Sequence, residues 1–517
     1  MNDLYQPITV TDIAANALNR DPDRTVIILG DDDVITAGQM RDAISRYAQA
    51  INSLNPKPAR AAILSKNRPE VPSVTYAFSF APIVATALHP MGSIEDYLYV
   101  IEDAEIDLLV YDDAFEEKVA ELKSRAPRLR HFIAIGKAGT GLSLEELAAP
   151  FTPQKLVAPN VDPDAMSRIA YSGGTTGKPK GIVTTHRSAM TTYLLSLAEW
   201  EWPSELRHLV CAPLSHAGAA MLHPVLHKDG CMVVLPGFDP VSFMEAVQKY
   251  RITTALMVPT MVLSLIDHPR FDEFDLSSLE VIYYGASAFP AARLRDAIGK
   301  MGPIFMQFYG QAEAPMSITV MRRKDHVTND PLRLASCGRP TSWVHVALMD
   351  DEMNEVPDGE PGEICVRGPL LMGGYLNKPE ETEKVFEGGW LHTGDVAIRN
   401  PADGFLRIVD RKKDMIVTGG FNVFAREVED VLVTHPAVLR AAVIGVPDPK
   451  WGEAVKAIVV TDPAVPVTAE VLMALVKTEK GSHQAPKSVD FVDEIPLSPV
   501  GKPDKKVLRA RYAPVAA

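Results

Sequence analysis

The chain has 517 residues, 46% hydrophobic and 23% charged, with a formal net charge of −14. That length exceeds one ordinary core and predicts two or more domains, in a composition normal for globular proteins. The acidic balance disfavours non-specific binding to nucleic acid or to an anionic membrane surface, although a local lysine cluster can still hold an anionic substrate. The four cysteines, Cys211, Cys231, Cys337 and Cys365, form no CxxC pair, which argues against a disulfide framework or zinc site and for isolated thiols in a reducing compartment. Met1 to Pro7 lacks the basic start and apolar run of a signal peptide. The most apolar segment, Tyr76 to Leu88, is broken by Pro82 and too short to span a bilayer. A cytoplasmic protein with no transmembrane segment is expected, as a monomer or homodimer.

In chain order, Thr25 to Leu29 reads as a strand, Ala37 to Leu54 has helical spacing, and Ala61 to Leu64 and Leu108 to Tyr111 are strands again. Further strands are predicted at Leu209 to Cys211, Met232 to Leu235 and Val281 to Tyr284. Such alternation predicts α/β layers with mostly parallel sheets. Beyond residue 414 the pattern tightens. Phe424, Val428, Val431 and Leu432 share a helical face, Ala441 to Val446 and Ala454 to Val460 read as strands, Val471 to Val476 as a helix, and Val489 to Val492 as a strand. The expected fold is α/β, with a large N-terminal domain of layered α/β sheets (residues 1–409) and a small mobile α+β C-terminal domain (414–517). Between them, Asp410-Arg411-Lys412-Lys413-Asp414 has no apolar anchor and reads as a solvated turn or as a hinge at 410–413.

The most informative stretch is Ser172-Gly173-Gly174-Thr175-Thr176-Gly177-Lys178-Pro179-Lys180-Gly181. Its glycines allow positive φ and close approach to a ligand. Its hydroxyls and lysines suit an anion, with backbone N–H groups turned inward as a nest for a polyphosphate. It is not a Walker A loop, because only Gly174-Thr175-Thr176 separate Gly173 from Gly177, and Pro179 follows Lys178. Ile169-Ala170-Tyr171 before it and Ile182-Val183-Thr184 after it read as short β segments, so the loop is expected at a hairpin tip.

The string from Tyr171 to Gly181 resembles the phosphate-binding signature of the AMP-forming adenylating enzymes: acyl- and aryl-CoA synthetases, peptide-synthetase adenylation domains and luciferases. The resemblance implies that Ser172, Thr175, Thr176, Gly177 and Lys180 grip ATP phosphates. Gln307 to Glu313 is similar to the family's Tyr-Gly-x-Thr-Glu motif, which implies ATP contacts from Tyr309, Gly310, Gln311 and Ala312 and a Mg²⁺-holding, catalytic role for Glu313. Ala312 stands in place of the threonine, a loss of one hydrogen bond on the order of 1 kcal/mol. Tyr284-Gly285-Ala286-Ser287 resembles the segment lining the adenine and acyl pockets. Gly389 to Asp395 matches the motif whose aspartate accepts the ribose hydroxyls, so Asp395 and Arg411 are expected ribose contacts and Lys413 the hinge residue. Lys502, in Pro499-Val500-Gly501-Lys502, matches the family's C-terminal catalytic lysine. Lys505 and Lys506 read as a basic tail. A lysine at the α-phosphate would stabilise charge that grows in the transition state.

Matching motifs run in order from 171 to 502, so the resemblance covers nearly the whole chain. It implies ATP-dependent activation of a carboxylic acid to an acyl-adenylate, with Mg²⁺. Gly419 and Gly420, in Gly419 to Glu429, resemble the segment that lines the tunnel for coenzyme A in acyl-CoA ligases, with Ala425 where many relatives carry proline. Val446 to Glu453 is also CoA-ligase-like, and no carrier domain follows. Transfer to CoA is therefore expected, with an amine as the alternative acceptor. A catalytically dead ligand-binding homologue is disfavoured because Glu313, Asp395, Arg411 and Lys502 are all present. His216 matches the position beside the acyl carboxylate. With Ala217, Tyr284 and Gly310 it is the expected acid pocket, which the small Ala217 to Ala220 leave roomy enough for a medium chain or an aromatic ring. Trp200 and Trp202 either line that pocket or simply pack.

Overall fold

In a computed structural model, residues 7–31, 33–172, 178–418, 421–497 and 503–512 are described. Two large sheets dominate the first four hundred residues. One has nine strands, whose middle is parallel: Thr25–Ile28, Cys231–Val234, Arg207–Val210, Thr254–Met257, Val281–Tyr284 and Phe305–Gln311 lie in that spatial order. Val34–Thr36 adds antiparallel at one edge, and Ala314–Met321 and Arg339–Pro340 at the other. The second sheet has eight strands around a parallel core of Arg60–Leu64, Val84–Leu88, Leu108–Asp112 and His131–Ile135. Thr254–Met257 and Val281–Tyr284 are buried at every position. Parallel strands covered on both faces have to be continuously apolar, which is why these runs do not alternate.

Helices Ala37–Asn52, Glu70–Phe80, His186–Glu199 and Leu222–His227 lie in the layer between the sheets. The shared core joins Val26, Ile27 and Met232 of one sheet to Ile63, Leu108 and Val110 of the other through Met40, Ile44, Val74 and Tyr76. Local chemistry starts these helices. Thr36 accepts the Gln39 N–H while the Gln39 side chain accepts the Thr36 N–H at 2.8 Å, a reciprocal cap. The Tyr76–Leu88 run resolves into the end of one helix and the strand Val84–Leu88, because Pro82 cannot continue the helix.

A four-stranded antiparallel sheet follows: His345–Met349, Pro361–Arg367, Leu391–Arg399 and Leu406–Arg411. Asp410 and Arg411 complete its last strand, and Asp410 is buried. The solvated-turn reading of the 410–414 segment therefore fails for its first half, because the ladder and the covering residues remove Asp410 from water.

Ile416–Thr418, Phe421–Val423, Val438–Asp448, Gly452–Thr461 and Ser488–Phe491 form a separate sheet. Helices Ala425–Leu432 and Ala469–Lys480 cover one face through Val428, Leu432, Leu472 and Val476. Helix Lys505–Tyr512, started by Asp504 accepting the Lys506 and Val507 N–H groups, covers the other, with Leu508 against Ala442, Ile444 and Ile458. The Arg407–Glu427 (2.7 Å) and Arg509–Asp414 (2.9 Å) ion pairs tie this unit to the strand that leads into it.

Leu508 is fully buried, so Leu508→Ala is expected to cost this small unit about 2–5 kcal/mol. Calorimetry with limited proteolysis checks it: the C-terminal unit unfolds and is cut at lower temperature, while the two-sheet core melts unchanged.

Candidate active site

The glycine-rich segment caps an antiparallel pair. Met166–Ser172 runs against Lys180–Thr185, with Tyr171 opposite Gly181 and Ser172 opposite Lys180. The hairpin expectation holds for both arms. Thr175, Thr176 and Gly177 at the tip, Lys502, and Gly419 and Gly420 lie outside the described residues. Lys180 pairs with Glu381, and its ammonium sits 4.6 Å from the centre of the Tyr375 ring. The Tyr375 hydroxyl in turn donates to Glu313 Oε1 at 2.9 Å. A chain of contacts thus joins the phosphate-loop lysine to the expected metal-holding carboxylate, through a tyrosine that the sequence reading did not single out.

Asp395 and Arg411 face each other across neighbouring strands, with Arg411 Nε 2.7 Å from Asp395 Oδ1. The Tyr309 hydroxyl donates to Asp395 Oδ2 at 2.7 Å, and Gln311 Nε2 donates to the Thr393 carbonyl at 3.1 Å. Thr393 Oγ accepts the Asp395 N–H at 3.1 Å and donates to the Ile364 carbonyl at 2.7 Å, which locks the motif loop. Burial, and then the Asp395 charge, hold the Tyr309 phenol well above its ordinary value, so it remains a donor. Gln311, Glu313, Glu363, Tyr375, His392, Thr393, Gly394, Arg411, Lys412 and Lys413 line one cleft of about 460 Å³.

Glu363 is the second residue missed from sequence. Its Oε1 accepts the Gly394 N–H at 2.9 Å, and its Oε2 lies 3.1 Å from both Lys412 Nζ and His392 Nδ1. Those hydrogen bonds and the Lys412 charge hold its carboxyl below the usual range against the opposing effect of burial. Glu363, Cys365 and His392 group three potential metal ligands, but the Lys412 ammonium already occupies the carboxylate. No local pattern marks Glu363, since its partners come from two other strands.

Gly285 has to be glycine for space, because a Cβ there would stand 2.6 Å from the Phe308 carbonyl oxygen. Ala286 takes φ +64°. At Gly310 a Cβ would meet the Met316 nitrogen at 2.3 Å, where the Phe305–Gln311 and Ala314–Met321 strands turn. The Tyr284 side chain is fully buried and bonded to Gln307 and His326. Strand alternation aims it into the core behind the sheet. Trp200 and Trp202 pack, stacked on each other at 6.0 Å, with Trp200 also stacked on Phe308 at 5.1 Å. His216 is accessible, yet surrounding protein, and then His89, push its imidazole down to about 4. It is neutral at physiological pH.

The profile of the AMP-binding enzyme family matches residues 14–376, and that of the AMP-binding enzyme C-terminal domain matches residues 427–502. The chain belongs to the AMP-binding enzymes. Among relatives of this AMP-binding enzyme, the medium/long-chain-fatty-acid–CoA ligase FadD8 of Mycobacterium tuberculosis is 48% identical, across 97% of this chain and 89% of that protein. A feruloyl-CoA synthase from an Amycolatopsis species is 34% identical, across 92% and 94%. The solved structure of amide bond synthetase McbA from Marinactinospora thermotolerans superposes with a TM-score of 0.89 at 30% identity, covering 98% of this chain and all of that one.

At the edge of the AMP-binding enzyme's cleft, Asp410 accepts the Arg411 N–H through Oδ1, while its Oδ2 is buried without a partner. Burial raises its carboxyl to about 6 from 3.8, against the pull of Lys505. An acid raised on folding binds its proton more tightly in the native state. Its contribution to stability is therefore greatest when it is protonated and is lost as pH rises from about 4 through 6. Asp410→Asn is expected to flatten that part of the stability–pH curve, measured by denaturant titration between pH 4 and 8.

Proposed function

We propose that this protein activates a carboxylic acid with MgATP, releasing pyrophosphate and forming an acyl-adenylate, and then passes the acyl group to coenzyme A. The observation that carries the reading is the cleft lined by Arg411, Glu313 and Tyr375, with Asp395 paired to Arg411 and Lys180 over the Tyr375 ring. Asp395, an acceptor-only carboxylate, suits the ribose hydroxyls, with Arg411 as a second donor. Tyr309, Gly285 to Ser287, and Gly310 to Ala312 frame the adenosine. Ser172, Thr175, Thr176, Gly177 and Lys180 hold the phosphates that leave as pyrophosphate.

Glu313 fits a magnesium ion. One of its oxygens takes the Tyr375 hydroxyl, and the other accepts no hydrogen bond among the described residues. A single carboxylate oxygen is what Mg²⁺ takes when substrate phosphates complete its shell. When bound, the ion neutralises phosphate charge. Neutral His216 stands beside the reacting carboxylate as a hydrogen-bonding wall, and Lys502 delivers positive charge to the α-phosphate as the bond changes.

Coenzyme A as acceptor is supported by exposed aromatic rings and lysines around Phe421 and Trp451. Phe421 is 60% and Trp451 40% exposed, Phe421 lies against His483, and Lys450 and Lys487 stand over Trp451. Exposed aromatics among cations suit a nucleotide phosphate and base. The names of the two CoA-forming relatives point the same way. The likeness to an amide bond synthetase keeps an amine acceptor as the second reading. The reaction belongs in the cytoplasm, where the four unpaired cysteines stay reduced. Residues 1–409 carry the ATP site, 410–413 form the hinge, with Lys413 as its pivot, and 414–517 swing to alternate the two steps.

Lys502→Ala is expected to slow adenylation by about 10²–10³ while thioester formation from supplied acyl-adenylate persists. Separate pyrophosphate-release and acyl-transfer assays check this; equal loss of both steps counts against the swing. Mass analysis of products made with coenzyme A or with amines decides the acceptor.

A further inference from the structure

Arg168 is an arginine without a counter-ion in the interior layer of the protein. Its Nε donates to Thr184 Oγ1 at 3.2 Å, and among the described residues no carboxylate pairs with it. The side chain borders open space. Desolvation by surrounding protein is nevertheless what acts on its guanidinium, lowering it from the ordinary value. Its strand partner Ala85 packs against the core shared by the two sheets, so the Arg168 side chain, on the same face, stands toward the layer between them.

The strand partner of Arg168 shows where that face leads. Ala85 is paired with Arg168 in register. Ala85 and Ala87 lie on one face of Val84–Leu88, partly accessible and packed against the core shared by the two sheets. His89, next on that face just beyond the strand, packs edge-on against His216 with ring centres 4.9 Å apart. From Ala85 to His89 is four residues, about 13 Å of extended chain. The alanine-bearing face of this strand thus runs from Arg168 to His89 and, through the ring contact, to His216. At the far end stands His223, bonded through Nδ1 to the Tyr76 hydroxyl at 3.0 Å, and burial and then the Arg168 charge push its imidazole down to about 4. The Arg168 guanidinium is thus a fixed charge at that end, beside a neutral His223.

A guanidinium on this face with donors left over offers them to any acceptor that reaches it. We propose that Arg168 closes the acyl channel and selects carboxylic acids that carry a second oxygen acceptor, a carboxylate or a carbonyl, at the end away from the reacting carboxyl. The inference rests on the acid-activating reading above. A plain alkyl chain would leave the donors unpaired, and a site built to hydrogen-bond a group discriminates strongly against the analogue lacking it.

The test uses the full-length protein and three medium-length acids matched in chain length, ending in methyl, keto and carboxylate groups. Pyrophosphate release is followed for wild type, Arg168→Met and Arg168→Lys. The expected result is a kcat/KM for an acceptor-ended acid about 100-fold above that of the methyl-ended one, with the keto and carboxylate arms showing which acceptor is preferred. Arg168→Met should erase the preference mainly through KM and leave the methyl-ended acid as good or better; Arg168→Lys should restore part of it. A wild-type preference for the methyl-ended acid, or an equal loss on all three acids in a folded Arg168→Met, overturns the proposal. If Arg168→Met does not fold, the wild-type ratio and Arg168→Lys decide. Absence of pyrophosphate with every acid counts against the activity itself; calorimetric binding of the same acids then still reads the channel, where acceptor-ended preference supports the proposal and equal affinity overturns it.

Discussion

The Asp395–Arg411 pairing organises the catalytic half of the molecule. A buried carboxylate is tolerated only when its charge is answered, and here the guanidinium across the ladder and the Tyr309 hydroxyl answer it. Arg411 belongs to the same four-stranded sheet, but Tyr309 comes from the nine-stranded sheet, so the two sheets have to dock in one relative position. The next residue, Lys412, is held by Glu363 and Asp351. The chain therefore leaves the larger sheets from a fixed point, and the motion proposed for the smaller unit has a firm base beginning at Lys413.

The interior layer between the two large sheets serves a second purpose. Most of it is close-packed aliphatic and aromatic core, with Trp200, Trp202, Tyr283 and Phe308 in ring contact. Along one strand the packing is relaxed by small residues, and there the side chains facing the gap are polar: His89, His216, His223 and Arg168. Desolvation keeps the three imidazoles below their ordinary values, so neutral hydrogen-bonding rings stand beside the Arg168 cation.

Much of the fold was legible from pattern. The strand at Val281–Tyr284, the helix from Ala37, and the order of strands and helices beyond residue 414 follow from apolar runs, caps and 3.6-residue spacing, all local properties. The hairpin arms around the glycine-rich loop were legible for the same reason. The 410–414 segment misled because its charge suggests solvent, whereas the burial of Asp410 depends on ladder partners far away in sequence. The burial of the Tyr284 ring was not legible, because a motif position does not say which face of the strand a ring takes. Tyr375 and Glu363 were invisible: each acts through contacts with residues tens of positions away, and neither stands in a distinctive string.

The amino-acid sequence by itself determined the chemical groups on offer, namely a glycine-rich hydroxyl and lysine loop, the carboxylates of Glu313 and Asp395, Arg411, and a C-terminal lysine, because each is carried by a short contiguous run. Tertiary structure alone decided which side chains support them and what else the acid meets. Tyr375 bridges Lys180 to Glu313, Glu363 clamps Lys412, and Arg168 lies beside the alanine-bearing face of its neighbouring strand. The physical reason is that desolvation and ion pairing depend on the atoms gathered around a group in space. Those atoms come from strands that the linear order keeps apart.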